Sequence, residues 1–367
     1  MRIAYISLHW PRNVSSGIGK KIQQQISTWQ KLGHEVQFFS HMYKSAQTEM
    51  LLEGKQYPYK IEKNAMGFFQ TEANRITASK KLIAGVRDYR PDIIYLRWAM
   101  YVYPLQKLFQ IAPVIVEINT NDVEEHKLLG FIKSKYNQLT RSITLKGASG
   151  IVFSSRELAN LPVFKLFCKP FTVISNSIDL SSISPLPTPI NPSPHLVFSG
   201  TSGMAWHGVE KLLPLAEKYP DLVIDVIGYD QISGVTQLPE NMVMHGYLTG
   251  NGYERVLAQA DVAIGTLALH KKGMQEASPL KIRDCIARGI PCILPYQDTD
   301  LDDLDTDMIL HIPNREDNID INNQEIHDFV YKMRGRRVPR GLIQGRIDSL
   351  VKEKQRLKFF EEVKASK

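Results

Sequence analysis

Hydrophobic positions along the chain alternate between two rhythms. RIAYISL (2–8) is a short β-type run, followed by the breaker-rich HWPRNVSSGIG (9–19). Ile22, Ile26 and Trp29 then recur at helical spacing as far as Gly33, a helix stop, and EVQFF (35–39) resumes the extended pattern. Strand, glycine loop, helix, strand is one βαβ unit. DIIYLRW (92–98), PVIVEIN (113–119), GIVFSS (150–155) and FTVISNS (171–177) read as further strands with helices between them, one of them over 125–146. Alternating strands and helices predict a parallel sheet covered on both faces.

The rhythm breaks at SISPLPTPINPSPH (182–195), where Pro185, Pro187, Pro189, Pro192 and Pro194 forbid a helix or a central strand. It restarts with LVFSG (196–200), a helix near 209–218, LVIDVIG (222–228), MVMHGYL (242–248), a helix near 253–259, VAIGTLA (262–268), a helix near 280–288 and PCILPY (291–296). The expected organisation is a Rossmann-like domain over 1–182, a linker at 183–195, a second Rossmann-like domain over 196–345 and a closing helix at 346–367. Residues 298–323 read as an acidic loop. GLIQGRIDSLVKEKQRLKFFEEVK (341–364) reads as one closing helix with Ile343, Ile347, Leu350 and Val351 on one face.

Composition narrows the class. The 367 residues suit two domains, and 43% hydrophobic with 23% charged is the balance of a globular protein. No apolar run approaches the roughly 20 residues a membrane helix needs. The first strand is too short and too broken for a signal peptide, so a cytoplasmic protein is expected. Three cysteines, none in a CxxC spacing, exclude a disulfide framework and a structural zinc site. The net charge of +7 suits phosphorylated ligands, anionic membrane or nucleic acid, and equally a plain soluble surface.

In doubly wound sheets ligands gather at the carboxyl ends of strands. Three places there carry candidate chemistry. Ser15-Ser16-Gly17-Ile18-Gly19 opens a helix and would let a phosphate approach the backbone, although Ile22 stands where a third glycine would complete the dinucleotide fingerprint. A plain tight turn fits the same letters. In GMQEASPLKIRDCIARGIPCIL (273–294), Ser278-Pro279 can start a helix whose Leu280 and Lys281 amides, beside the Lys281 ammonium, would cradle a diphosphate. Asp284 lies one turn on, within reach of ribose hydroxyls, and Glu276 precedes the helix, where a sugar would lie. A Ser-Pro helix start with incidental charges carries the same letters. In FSGTSGMAWHGVEKLL (198–213), Thr201, Ser202 and His207 could touch a diphosphate, or His207 could cap a helix.

Taken in order, these motifs resemble those of retaining glycosyltransferases of the GT-B fold, family 4, over nearly the whole chain. The glycine loop with LGHEV (32–36), VISNSID (173–179), the 198–213 loop, and ADVAIG (260–265) followed by EASPLKIRDCIARGIPCIL carry the likeness. The resemblance implies an α/β chain of two Rossmann-like domains facing across a cleft, with the C-terminal helix packing back toward the N-terminal domain. It implies a nucleotide-diphosphate sugar donor, UDP- or GDP-linked. Gly17 would approach the donor, Glu276 would contact the sugar, and the Leu280 and Lys281 amides would hold the diphosphate beside Ser278, with Asp284 on the ribose. Three positions depart from the pattern: Asp284 replaces a glutamate, and Thr201 and His207 stand where an arginine and a lysine are usual. Lys281, assisted by His207, is expected to supply the missing charge. Asn119 stands where a histidine often follows an N-domain strand; it can hydrogen-bond a sugar hydroxyl but cannot act as a base.

The resemblance implies that the leaving phosphate can itself take the acceptor's proton, so no protein base is needed; with no Asp-x-Asp motif placed for a catalytic metal, no cofactor or metal is expected. Asp300, Asp302, Asp303 and Asp305 read as a solvated surface loop rather than a metal site. On the acceptor side, Lys44, Lys55, Lys60, Lys63, Arg75, Lys80 and Lys81 surround Tyr57, Tyr59, Phe68 and Phe69, and KLLGFIKSKYNQLTRSITLK (127–146) interleaves cations with apolar residues. Such segments dock on anionic headgroups or pack on their own sheet. The partners expected are a nucleotide sugar and a glycan or lipid-linked acceptor for cell-surface polysaccharide at the inner membrane face, with no nucleic acid. A GT-B sugar-nucleotide epimerase and an inactive transferase-like scaffold are the alternatives. A nicotinamide dehydrogenase fits less well, because the glycine fingerprint is incomplete and no acidic ribose partner closes the second strand.

Overall fold

The computed structural model describes residues 1–9, 17–43, 54–62, 67–128 and 130–366. The chain forms two compact units, Met1–Ile174 with Ser349–Lys367, and Ser175–Asp348.

The first unit runs β1 (Arg2–Ser7), α1 (Gly17–Lys31), β2 (Glu35–Tyr43), β3 (Gly54–Tyr59), α2 (Gly67–Tyr89), β4 (Ile93–Arg97), β5 (Val114–Ile118), α3 (Asp122–Leu128), α4 (Phe131–Gly147), β6 (Gly150–Phe153), α5 (Arg156–Asn160), α6 (Pro162–Lys165) and β7 (Phe171–Val173). Its seven strands pair in parallel in the order β3-β2-β1-β4-β5-β6-β7. The strand order reverses beside β1, the place where such sheets bind ligands. Ile22, Ile26 and Trp29 of α1 face Ile3, Tyr5 and Tyr95 of the sheet in one core.

The second unit runs β8 (His195–Ser199), α7 (Leu212–Lys218), β9 (Val223–Ile227), β10 (Met242–Met244), α8 (Gly250–Gln259), β11 (Val262–Ile264), β12 (Glu276–Ala277), α9 (Leu280–Ala287), β13 (Cys292–Leu294), β14 (Gln297–Asp298), β15 (Ile309–His311), α10 (Asn318–Met333) and α11 (Arg340–Ile347). Its main sheet repeats the topology with β10-β9-β8-β11-β13-β15, and β12 pairs with β14. The last helix, α12 (Ser349–Ala365), returns to the first unit, where Leu357, Phe360 and Val363 enter the α1 core.

Four expectations change. The helix expected over 125–146 is two helices, because Gly130 takes a φ of +111° that ends the turn and redirects the chain. The closing helix is also two: Asp348 is extended (φ −65°, ψ 130°) and bridges Ile178, so α12 begins at Ser349 and Leu350 is exposed. The proline stretch 183–195 lies inside the second unit, and the chain changes unit at 174/175 instead. Prolines cannot donate, but this segment's carbonyls accept: Arg337 Nε reaches Pro187 O, and Arg334 reaches Asn191 O and Pro192 O. Finally, the acidic stretch after 298 is not all solvated, because Asp298 and Asp300 are buried. The three cysteines are free, Cys168 exposed and Cys285 and Cys292 buried. Among the described residues no helix is long and apolar enough to cross a membrane.

Candidate functional site

In the second unit two of the sequence motifs come together. Lys281, in the first turn of α9, donates from Nζ to Thr201 Oγ1 at 3.2 Å. Thr201 sits on the loop after β8, which is drawn tight against the loop after β9. A Cβ on Gly228, whose φ is +91°, would fall 2.3 Å from Gly200 O, so only glycine fits this approach. The approach puts Tyr229 Oη 3.0 Å from Thr201 O, to which it donates. The Thr201 N–H donates to His207 Nδ1 at 2.8 Å, which places the imidazole proton on Nε2.

Burial, reinforced by the charges of Lys281 and Lys272, pulls His207 down to about 3. His207 is therefore neutral at pH 7. It cannot share the cationic role expected for it, and what it offers is an Nε2–H donor. Burial also lowers Lys281 to about 8. The start of α9 carries no side-chain cap, since Pro279 occupies the cap position and Ser278 is committed elsewhere. Ser278 Oγ accepts from the Asn176 N–H at 3.0 Å, and its carbonyl accepts from Asn176 Nδ2 at 2.8 Å. Ser202 is exposed on the same loop as Thr201.

Glu276 heads β12 and is 6% exposed. Asp284 lies on α9 with Oδ1 3.3 Å from Arg288 Nε, and its carboxylate helps burial hold the Tyr253 phenol well above its usual range. Beneath them Arg283, fully buried, forms two hydrogen bonds to Asp298 at 2.9 and 2.7 Å and reaches Asp300 at 3.0 Å and Asn176 O at 3.0 Å. Ser175 Oγ donates to Asp300. Asp300 thus anchors the floor of this site instead of lying in a solvated loop.

In the first unit Gly17 is the exposed first residue of α1, while Ser15 and Ser16 lie outside the described residues, as do Lys44, Lys63 and the Phe68 side chain. Asn119 follows β5 and accepts from Lys21 Nζ at 3.0 Å. Lys21 also pairs with Glu117 at 2.9 Å, and Glu117 pairs with Arg97 at 3.1 Å. Burial pushes Glu117 up, but Lys21, Arg97 and Arg356 together outweigh it and hold the carboxyl well below the usual range. Sequence reading missed Lys21, Glu117, Asn176 and Arg283. One signal was available: Glu117 is the lone acid in the otherwise apolar strand VIVEI.

Residues 15–182 match the model of Glycosyltransferase Family 4. No curated protein matches the chain. Among solved structures, a sucrose-phosphate synthase from Thermosynechococcus elongatus superposes with a TM-score of 0.72 at 14% identity, covering 100% of both chains. An alpha-glucosyltransferase in complex with UDP-glucose and DNA containing an abasic site gives 0.64 at 15% identity over 98% of this chain and 99% of that one. The lipopolysaccharide outer core galactosyltransferase WaaB, in its apo form, gives 0.64 at 12% identity over 99% and 100%. The two-sheet α/β architecture is that of GT-B glycosyltransferases.

Proposed function

We propose, for a chain of GT-B architecture whose residues 15–182 match the model of Glycosyltransferase Family 4, a metal-independent, retaining transfer of a hexose from a UDP-sugar to a glycan or lipid-linked acceptor in cell-surface polysaccharide synthesis. The observation that carries this reading is the meeting of Lys281 with Thr201 at the uncapped start of α9. Backbone N–H groups at a helix start, one ammonium and the neutral Nε2–H of His207 suit a diphosphate. UDP is chosen because a neighbour of the same fold holds UDP-glucose.

In this mechanism the Leu280 and Lys281 amides and the Lys281 ammonium take up the negative charge that grows on the leaving diphosphate. That is where electrostatic stabilisation lowers the barrier most. Thr201 and Ser202 add hydroxyl donors, and Ser278 holds the turn in shape through Asn176. Asp284 accepts from the ribose hydroxyls, with Arg288 fixing its carboxylate. Glu276 accepts from sugar hydroxyls and faces the oxocarbenium-like centre. On the first unit Gly17 leaves room at the start of α1, and Asn119 offers its amide to a sugar hydroxyl. The acceptor hydroxyl attacks from the face the phosphate leaves, and a phosphate oxygen takes its proton, so no protein base is needed.

A surface acceptor and anionic membrane contact are supported by α4. Phe131, Ile132 and Leu139 are 75%, 69% and 78% exposed beside exposed Lys133 and Lys135, and the helix contains no acidic residue. Apolar groups interleaved with lysines suit an anionic bilayer interface. The neighbours differ in acceptor chemistry, so the test offers both classes. UDP-glucose and UDP-galactose are supplied with lipid-linked glycan or duplex DNA, UDP release is followed, and the product's anomeric configuration is read by NMR. Transfer to the glycan with retained configuration and an unchanged rate in EDTA is expected. Transfer to DNA alone, an inverted product, or an EDTA loss that Mg²⁺ or Mn²⁺ restores would each contradict its part of the proposal. So would interconversion of the two UDP-sugars without transfer, the epimerase outcome.

A further inference from the structure

Asn119 follows a strand in which Glu117 stands two residues earlier, on the same face. One cation from α1 can therefore reach both side chains. Lys21 Nζ lies 2.9 Å from Glu117 Oε1 and 3.0 Å from Asn119 Oδ1, and the Lys21 and Glu117 side chains are 7% and 2% exposed. Glu117 is itself fixed by Arg97 at 3.1 Å and, more distantly, by Arg356 at 4.0 Å. Arg356 is held by Glu353 at 2.9 Å, and Glu353 takes the Trp29 indole N–H at 2.8 Å. The Lys21 ammonium is thus tethered to a carboxylate that two guanidinium groups hold in place.

An ammonium has only donors, so the part of the Asn119 amide it meets must be the oxygen. The NH₂ end is thereby turned away from Lys21 and its orientation is set. The arrangement is expensive for mere stability. Burial lowers Lys21 to about 8 despite the Glu117 charge beside it, and apolar residues of similar volume often fill such a place at no loss. We propose that Lys21 is a positioning residue that locks the Asn119 amide with its NH₂ group presented as a donor to a sugar hydroxyl. This rests on the reading of Asn119 as a sugar contact.

The experiment compares Lys21→Met, Lys21→Arg, Asn119→Ala and the double variant Lys21→Met/Asn119→Ala by kcat, KM and melting temperature, with the UDP-induced thermal shift as a control. Asn119→Ala is expected to lower kcat/KM about tenfold or more, and Lys21→Met by a similar factor. The double variant should be no worse than Asn119→Ala alone, because the two residues act as one unit. Lys21→Arg, which keeps both donations, should recover most of the loss, and UDP should stabilise every variant as it does the wild type. Additive losses in the double variant, or a fully active Lys21→Met beside an impaired Asn119→Ala, would overturn the positioning role while leaving the sugar contact standing. A fully active Asn119→Ala would sink the sugar contact itself, and the positioning role with it. If Lys21→Met fails to fold, Lys21→Arg decides: activity as poor as that of Asn119→Ala in a folded protein refutes the proposal.

Discussion

Replacing Lys281 with methionine separates charge from bulk at the start of α9. Burial takes its ammonium from the usual 10.5 to about 8. At about 1.4 kcal/mol per unit that shift bounds the penalty for keeping the charge in the fold at about 3 kcal/mol. The Thr201 hydrogen bond and the side chain's partial exposure reduce what methionine recovers to about 1–2 kcal/mol. The sign follows from the depressed folded pKa: between about 8 and 10.5 the folded chain holds this proton less tightly than the unfolded chain, so the group's contribution to stability is greatest at high pH and is lost as pH falls through 8. At pH 7 the charged side chain is a cost, and Lys281→Met should melt a few degrees higher than the wild type. Its turnover should fall about 10²- to 10³-fold, the usual consequence of removing one donor aimed at developing charge. UDP affinity should weaken only about tenfold, since the helix-start amides remain. In the wild type, UDP affinity should be level below pH 8 and decline above it as the ammonium is lost; in Lys281→Met it should not bend there. Scanning fluorimetry with and without UDP, together with UDP-release kinetics, reads all of this. A variant that is less stable and fully active would make Lys281 a structural residue. A loss of affinity with turnover unchanged would mean that it binds donor and transition state alike.

Glu276→Gln keeps the shape of a buried side chain that we assign to the sugar, so UDP should bind it normally while turnover drops at least 10²-fold; a matching loss of UDP affinity by calorimetry would place Glu276 on the nucleotide instead. Arg283→Met strands the Asp298 and Asp300 carboxylates in the interior and should cost about 3–5 kcal/mol in urea unfolding. A loss under 1 kcal/mol would show that the pair is hydrated and not the floor of the site. Phe131→Ser/Ile132→Ser should leave stability within about 0.5 kcal/mol, because both side chains are exposed, yet abolish flotation with anionic vesicles. Undiminished flotation would move membrane contact away from α4.

The alternation of strands and helices was readable because each strand is a short apolar run and each helix repeats its apolar face, as Ile22, Ile26 and Trp29 do in α1. In α2 the signal is weaker: Ala78, Leu82, Ile83 and Val86 recur on one buried face, but Lys80 and Lys81 interrupt the run. Helix breaks were harder to read. Gly130 and Asp348 each stop a helix inside an otherwise periodic run, and at Asp348 the reason is a bridge to Ile178, a residue 170 positions away. The same limit governs the site. The spacing of Glu276, Lys281 and Asp284 was visible along the chain, whereas the meeting of Lys281 with Thr201 and the neutrality of His207 depend on burial and on partners brought together by the fold. Acidic residues after 298 looked solvated because composition cannot say that Arg283 points inward to meet them.

The proposed function requires the second unit to bind a nucleoside diphosphate at the start of α9. Thermal shift of the purified protein with UDP, GDP, ADP, CMP and NAD(H), in EDTA, tests it most directly, because a ligand that binds the native state raises its melting temperature by mass action. A clear shift with UDP that exceeds the others and shrinks in Lys281→Met is expected. A shift with NAD(H), or none with any nucleoside diphosphate, would contradict it.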